Sequence, residues 1–107
     1  MFIIMITFGA YLANARKQAG LSQKDLASQL KKEDGAPISP QYLNDLERDR
    51  RNPPNEYILQ QISEVLKLPL DYLQYLAGRL PSDLQNIRDP KKVEAALTAF
   101  RRSIKGD

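Results

Sequence analysis

Apolar residues recur every three or four positions along most of the chain, with polar residues between them. This spacing is typical of amphipathic helices, and no alternating strand pattern appears beyond the amino-terminal run. The apolar positions form six groups: Phe8, Tyr11, Leu12 and Ala15; Leu26, Ala27 and Leu30; Leu43 and Leu46; Ile58, Leu59, Ile62, Val65 and Leu66; Leu70, Leu73, Leu76 and Ala77; and Val93, Leu97, Phe100 and Ile104. We therefore predict an all-α protein with six helices.

Residues of the helix-capping type precede the first four groups. They are Thr7, Ser22, Ser39 and Asn55. Their side chains accept hydrogen bonds from backbone N–H groups that have no partner inside the helix. Asp25 follows Ser22 by three positions, which completes a capping box, and Pro40 suits the first helical position after Ser39. Four helix starts are thus predicted from local sequence.

The segment between Leu30 and Ile38 joins the second and third helices. We expect Lys31 to Asp34 to lengthen the second helix by about a turn, with Gly35 providing a left-handed exit. Pro37 would keep the residue before it extended.

The chain divides into three parts. Residues 7–78 contain five predicted helices, and residues 79–89, which include Pro81, are a predicted connector with one short helical turn. Asp89 and Pro90 begin a last helix over residues 90–105.

That last helix carries Val93, Leu97, Phe100 and Ile104 at intervals of four, three and four residues. This is coiled-coil spacing, but the stripe covers under two heptads and is too short to be stable alone in water. It must pack against the fifth helix or against a second subunit; both alternatives remain open, and both can hold together.

Composition narrows the function. The chain of 107 residues has 42% hydrophobic residues and neither cysteine nor histidine, so it lacks thiol nucleophiles, imidazole bases and the usual zinc ligands. We expect no enzyme activity, no metal and no cofactor. The net charge of +3 and a pI near 9.3 fit a nucleic-acid partner only weakly, because 13 acidic residues accompany 16 basic ones.

The amino-terminal run Phe2 to Ile6 is apolar and β-branched. It is too short to span a bilayer and lacks the features of a signal peptide, so we expect a cytoplasmic protein with no membrane partner. The run either pairs with a partner subunit as a strand or folds back onto the core. Alternatively, translation begins at Met5, and Met1 to Ile4 are an extension.

Several of these motifs occur together and in order: Arg16; Ala19-Gly20-Leu21-Ser22-Gln23; Leu26-Ala27; Ile38 to Glu47, which reads ISPQYLNDLE; and Arg51-Asn52-Pro53. From about Phe8 to Gly78 the chain resembles the lambda-repressor and Cro-like helix-turn-helix regulators of the xenobiotic-response-element type. The resemblance implies a five-helix DNA-binding domain, here with an additional C-terminal helix. It also implies a partly buried structural ion pair between Arg16 and Glu47.

The resemblance places the third helix in the major groove of DNA. The residues expected to read bases are Gln41, Tyr42, Asn44 and Asp45. Those expected to hold phosphates are Gln23, Lys24, Arg48, Arg50, Arg51 and Asn52. The arginines cluster where one helix ends, which makes solvated charge a poor explanation for the group.

We therefore expect a transcriptional repressor that binds a palindromic operator in double-stranded DNA as a homodimer. An alternative is an antitoxin-like or inhibitor protein that acts mainly by binding a partner protein, such as a toxin or a processing protease. In that case the connector and the C-terminal stripe would carry the main function.

Overall fold

A computed structural model describes residues 6–106 of the protein. Six α-helices and one 3-10 turn occur in this range: α1 (Phe8–Gln18), α2 (Gln23–Gln29), α3 (Pro40–Glu47), α4 (Glu56–Leu66), α5 (Leu70–Leu76), the turn Ser82–Leu84, and α6 (Pro90–Lys105). Residues 6–106 contain no strand, and the predicted all-α fold is confirmed. Of the amino-terminal run Phe2 to Ile6, every residue except Ile6 lies outside the described range, and so does the alternative extension Met1 to Ile4.

The predicted caps are present at the starts of the first four helices. The hydroxyl of Ser22 accepts a hydrogen bond from Asp25 N at 3.0 Å, and Asp25 accepts one from Ser22 N at 3.3 Å, which closes the capping box. Thr7, Ser39 and Asn55 each accept a bond from the backbone N–H three residues later. These local bonds fix where each helix begins.

One hydrophobic core joins α1 to α5. Its buried apolar residues are Phe8, Leu12, Leu26, Ala27, Leu30, Ile38, Leu43, Leu46, Ile58, Leu59, Ile62, Leu66 and Leu73. α1 and α2 both pack against α3, and α4 packs against α5. Because α3 is held from two sides by its leucines, its opposite face is fixed in orientation.

The connection between α2 and α3 differs from the prediction. Helix α2 ends at Gln29, and Lys31 pairs with Pro37 in an isolated antiparallel bridge. The expected helical extension over Lys31 to Asp34 is therefore wrong. Gly35 does have a left-handed φ of 88°, but it closes this small hairpin and does not end a helix.

Several backbone groups of the hairpin are bonded across the hairpin or to α4. Ile38 N donates to Leu30 O at 2.8 Å, and Lys32 N donates to Ala36 O at 2.7 Å. The side chain of Gln61 on α4 accepts from Lys31 N at 2.7 Å and donates to Lys31 O at 2.8 Å. These bonds replace those that a longer α2 would make, which is the physical reason for the early end.

Helix α6 stands apart from the core. Val93 is half-buried, and no residue of α6 is buried among the described part of the chain. Leu97, Phe100 and Ile104 remain 49%, 52% and 69% exposed. Within residues 6–106, the apolar residues of α6 are therefore not packed against α5, which was one of the two alternatives predicted for them.

None of the helices within residues 6–106 combines the length and the apolar character needed to cross a membrane.

Candidate nucleic-acid interface

The polar face of α3 lies opposite its buried leucines, Leu43 and Leu46. On this face Gln41 is exposed, whereas Tyr42, Asn44 and Asp45 are half-buried. All four residues proposed to read bases are thus on one helix with accessible surface. Pro40 at the first helical position and the Ser39 cap set the start of this helix.

A buried network positions α3 against α1 and α2. The guanidinium of Arg16 binds both carboxylate oxygens of Glu47, with Nε at 2.6 Å and the second nitrogen at 2.9 Å. A further nitrogen of Arg16 donates to Leu21 O at 2.8 Å. This two-point geometry fixes the end of α3 in both position and angle.

The network extends to the polar face through Gln23. Its amide nitrogen donates to Glu47 at 2.9 Å and to Asn44 Oδ1 at 3.2 Å. Asn44 is therefore held in one orientation by a side chain from the start of α2. The oxygen of Asn44 retains a second lone pair, and its amide nitrogen can donate outward.

The electrostatics of the network favour the charged pair. The hydrogen bonds that Arg16 donates to Glu47 raise the pKa of Arg16 above its ordinary value, the negative charge of Glu47 raises it further, and burial acts in the opposite direction. Arginine is protonated across the physiological pH range, so the charge that Arg16 contributes to the ion pair does not change with pH in that range.

Asp45 lies between two partners on the outer face of α3. Its Oδ1 accepts a hydrogen bond from Gln41 at 3.1 Å and lies 3.9 Å from a guanidinium nitrogen of Arg50. This placement offsets part of the carboxylate charge that would otherwise repel a phosphate backbone. It also orients the Gln41 amide along the helix.

Tyr42 and Arg51 form the next part of the surface. The guanidinium carbon of Arg51 lies 5.3 Å from the centre of the Tyr42 ring, which is a cation–π contact. Both residues line an open groove of about 450 Å³, together with Ser39, Asn55 and Tyr57. The groove runs from the start of α3 to the start of α4.

The remaining phosphate candidates surround this face. Lys24 is exposed at the start of α2, and Arg48, Arg50, Arg51 and Asn52 are exposed where α3 ends. Gln23, next to Lys24, contacts Asn44, whereas Arg51 contacts Tyr42. The cation at the start of α2 and the cations after α3 therefore lie on different sides of α3. The arrangement presents cations on both flanks of a polar helix.

Two residues that matter for this geometry were missed by sequence reasoning. Asp49, with a left-handed φ of 58°, accepts bonds from Gly9 N at 2.9 Å and from the Thr7 hydroxyl at 2.6 Å. A Cβ atom on Gly9 would lie 2.4 Å from Leu46 O. The first turn of α1 therefore packs directly against the end of α3. A glycine inside a helical pattern was the available signal.

The packed α2 and α3 helices, joined through a short hairpin, define a helix-turn-helix protein. The sequence model of the helix-turn-helix family matches residues 12–73, which is more than half of the chain. The chain belongs to this family, the lambda-repressor and Cro-like helix-turn-helix proteins, and is a DNA-binding transcription regulator. This is a regulatory family and not an enzyme family. No curated protein and no solved structure matches the chain.

Proposed function

We propose that the protein is a repressor that binds a palindromic operator as a homodimer, with α3 in the major groove of each half-site. The observation that carries this proposal is the polar face of α3, which is accessible and has cations on both flanks. An α-helix fits the width of the major groove, where each base pair presents a distinct pattern of donors and acceptors.

Gln41 and Asn44 are the main base-reading residues in this proposal. An amide side chain can donate to and accept from adenine in a bidentate pair. The bond from Gln23 to Asn44 supports this role, because a preoriented amide loses less conformational freedom on binding. Tyr42 contacts a thymine methyl group or a phosphate, and Asp45 accepts from cytosine.

The flanking cations hold the sugar-phosphate backbone. Arg48, Arg50, Arg51 and Asn52 take one strand, while Lys24 and the backbone N–H of Gln23 at the start of α2 take the other. Both N–H groups of the Gln23 side chain already bind Glu47 and Asn44, so that side chain supports α3 and does not hold a phosphate itself. Such contacts set the register of the helix on the duplex but carry no sequence information themselves.

Two copies are needed for useful specificity. One α3 helix reaches only a few base pairs, and two copies related by a two-fold axis would read half-sites about 34 Å apart. A dimer bound over a promoter would block transcription by occupying it. The proposed occupant of the operator is therefore a homodimer and not a single chain.

Selection from a pool of random double-stranded DNA tests this proposal directly. The expected product is an inverted repeat whose half-sites are centred roughly 10 base pairs apart. Enrichment of no motif, or of a motif without symmetry, would contradict sequence-specific binding by a homodimer. Placing the selected site across a promoter and measuring transcription with and without the protein then tests repression, which an unchanged or increased signal would rule out.

A further inference from the structure

The α6 stripe is the apolar face of α6 that is formed by Val93, Leu97, Phe100 and Ile104. Three of its four residues are about half or more exposed, and Val93 is half-buried. Because the intervals are four, three and four residues, the side chains lie in one line along the 16-residue helix. A continuous apolar line of this kind on a soluble surface usually has a partner.

The charges beside the α6 stripe indicate which partner fits. Glu94 and Arg101 are seven residues apart, two turns of the helix, and therefore share one flank of the stripe. The other flank carries Ala96 and Ser103, also seven apart, whose small side chains permit close approach. One flank thus contains an acid and a base at matching positions, and the other flank contains no charge at those positions.

A second copy of α6 in antiparallel orientation satisfies both flanks. When Leu97 of one copy packs against Phe100 of the other, Val93 packs against Ile104 in the same register. Glu94 of each copy then faces Arg101 of the other, and the two-fold axis makes this pair occur twice. Ala96 faces Ser103 on the opposite side.

A parallel pair would be electrostatically worse. In a parallel coiled coil, Glu94 would face Asp89 of the other copy, a contact between like charges. The basic ends that contain Arg101, Arg102 and Lys105 would also lie side by side. Antiparallel packing separates these ends and sets the two helix dipoles in opposition.

We propose that the α6 stripe binds the α6 stripe of a second copy of this chain in antiparallel orientation, with two Glu94–Arg101 ion pairs across the interface. This inference deepens the homodimer proposed above and rests on it only for the biological purpose of the pairing. Self-association requires no DNA, so an experiment can contradict the α6 pairing without contradicting operator binding, and the reverse.

Sedimentation equilibrium of the full chain without DNA, at several concentrations, tests the pairing. Glu94→Arg or Arg101→Glu alone replaces two attractive contacts by two repulsive ones, so each should raise the dimer dissociation constant roughly tenfold. The combined Glu94→Arg/Arg101→Glu variant should regain the parent value. Glu64→Arg makes the same charge change on the exposed face of α4 and should leave the constant unaltered.

The Glu94→Arg variant also distinguishes orientations, because in a parallel pair it would face Asp89 and strengthen the dimer. Strengthening, or no recovery in the double variant, would overturn the antiparallel geometry. A chain that stays monomeric up to millimolar concentration, or a dimer insensitive to Leu97→Asp, would overturn the α6 interface altogether. The substituted residues Glu94, Leu97 and Arg101 are solvent-exposed, and an unchanged circular-dichroism spectrum verifies that each variant is folded.

Failure of the operator proposal would look different. If the parent chain dimerises as described but selects no DNA sequence, the pairing stands and the DNA function does not. If the Glu94→Arg variant loses affinity for a complete palindrome but not for an isolated half-site, both proposals are supported together.

Discussion

Arg16 and Glu47 link α1 to the end of α3 by a two-point ion pair, with side chains only 10% and 5% exposed. Removing Arg16 leaves the buried carboxylate of Glu47 without an opposite charge, with only the hydrogen bond from Gln23 remaining. We expect Arg16→Met to lower the free energy of unfolding by about 3 to 5 kcal/mol, measured by urea denaturation. A loss below about 0.5 kcal/mol would contradict a structural role for this pair.

Two controls sharpen this measurement. Lys17→Met removes an exposed charge on the same helix and should change stability little. The double variant Arg16→Met/Glu47→Leu removes both charges, and it should be more stable than Arg16→Met because no unpaired ion remains.

Gln74 is the least expected residue of the core. It is 1% exposed, and neither its amide nitrogen nor its amide oxygen has a hydrogen-bond partner within the described structure. A buried polar group without a partner costs about 1 to 3 kcal/mol. Gln74→Met, which keeps the shape of the side chain, should therefore maintain or raise the thermal unfolding midpoint.

Gln60→Met is a suitable comparison, since Gln60 is exposed on α4 and its replacement should have little effect on that midpoint. A clear decrease for Gln74→Met alone would mean that its amide is satisfied in solution, for example by ordered water.

At the scale of elements, the ends of α3 and α4 share one backbone conformation but use it differently. Lys67 follows α4 with φ 56° and is exposed, whereas Asp49 follows α3 with φ 58° and binds Thr7 and Gly9 through its side chain. Glycine adopts this left-handed conformation without steric cost. We expect Lys67→Gly to stabilise the protein by about 0.5 to 1 kcal/mol.

The matched variant Asp49→Gly should have the opposite effect, because the gain in backbone freedom is smaller than the loss of two hydrogen bonds to a carboxylate. Chemical denaturation of both variants measures the difference. Equal shifts of the same sign would show that the Asp49 bonds contribute nothing to the packing of α1 on α3.

The elements also show what local sequence determines. The caps at Ser22 and Ser39 depend on bonds within three residues, and they were predicted correctly. The hairpin between α2 and α3 depends on Gln61, which lies thirty residues beyond Lys31 in the sequence. No local pattern contains that contact, so the predicted extension of α2 was wrong.

For the molecule as a whole, the order of helices and most core positions followed from the spacing of apolar residues. The contact of Gly9 with the end of α3 did not, because it depends on how two helices meet. The candidate DNA residues were located on α3 and its flanks from sequence, but the bonds from Gln23 to Asn44 and from Gln41 to Asp45 required coordinates.

The salt dependence of DNA affinity for the whole molecule tests the phosphate contact proposed for Arg51. Arg51→Ala should weaken binding to every DNA sequence and reduce the slope of log affinity against log salt by about one, since the phosphate contact proposed for Arg51 is lost. Arg88→Ala removes the same charge from the exposed connector and should leave the slope unchanged. Equal slopes for both variants would remove Arg51 from the proposed phosphate contacts.

In the proposed complex with DNA, the polar face of α3 reads base edges. The most direct measurement is the affinity of the parent, Gln41→Ala and Asn44→Ala proteins for the selected operator and for every single-base-pair variant of it. Each alanine variant should lose about 1 to 3 kcal/mol of discrimination at particular base pairs and retain it elsewhere. If both variants discriminate among all these sequences as the parent does, α3 does not read the DNA sequence through these two residues, which contradicts the proposed recognition.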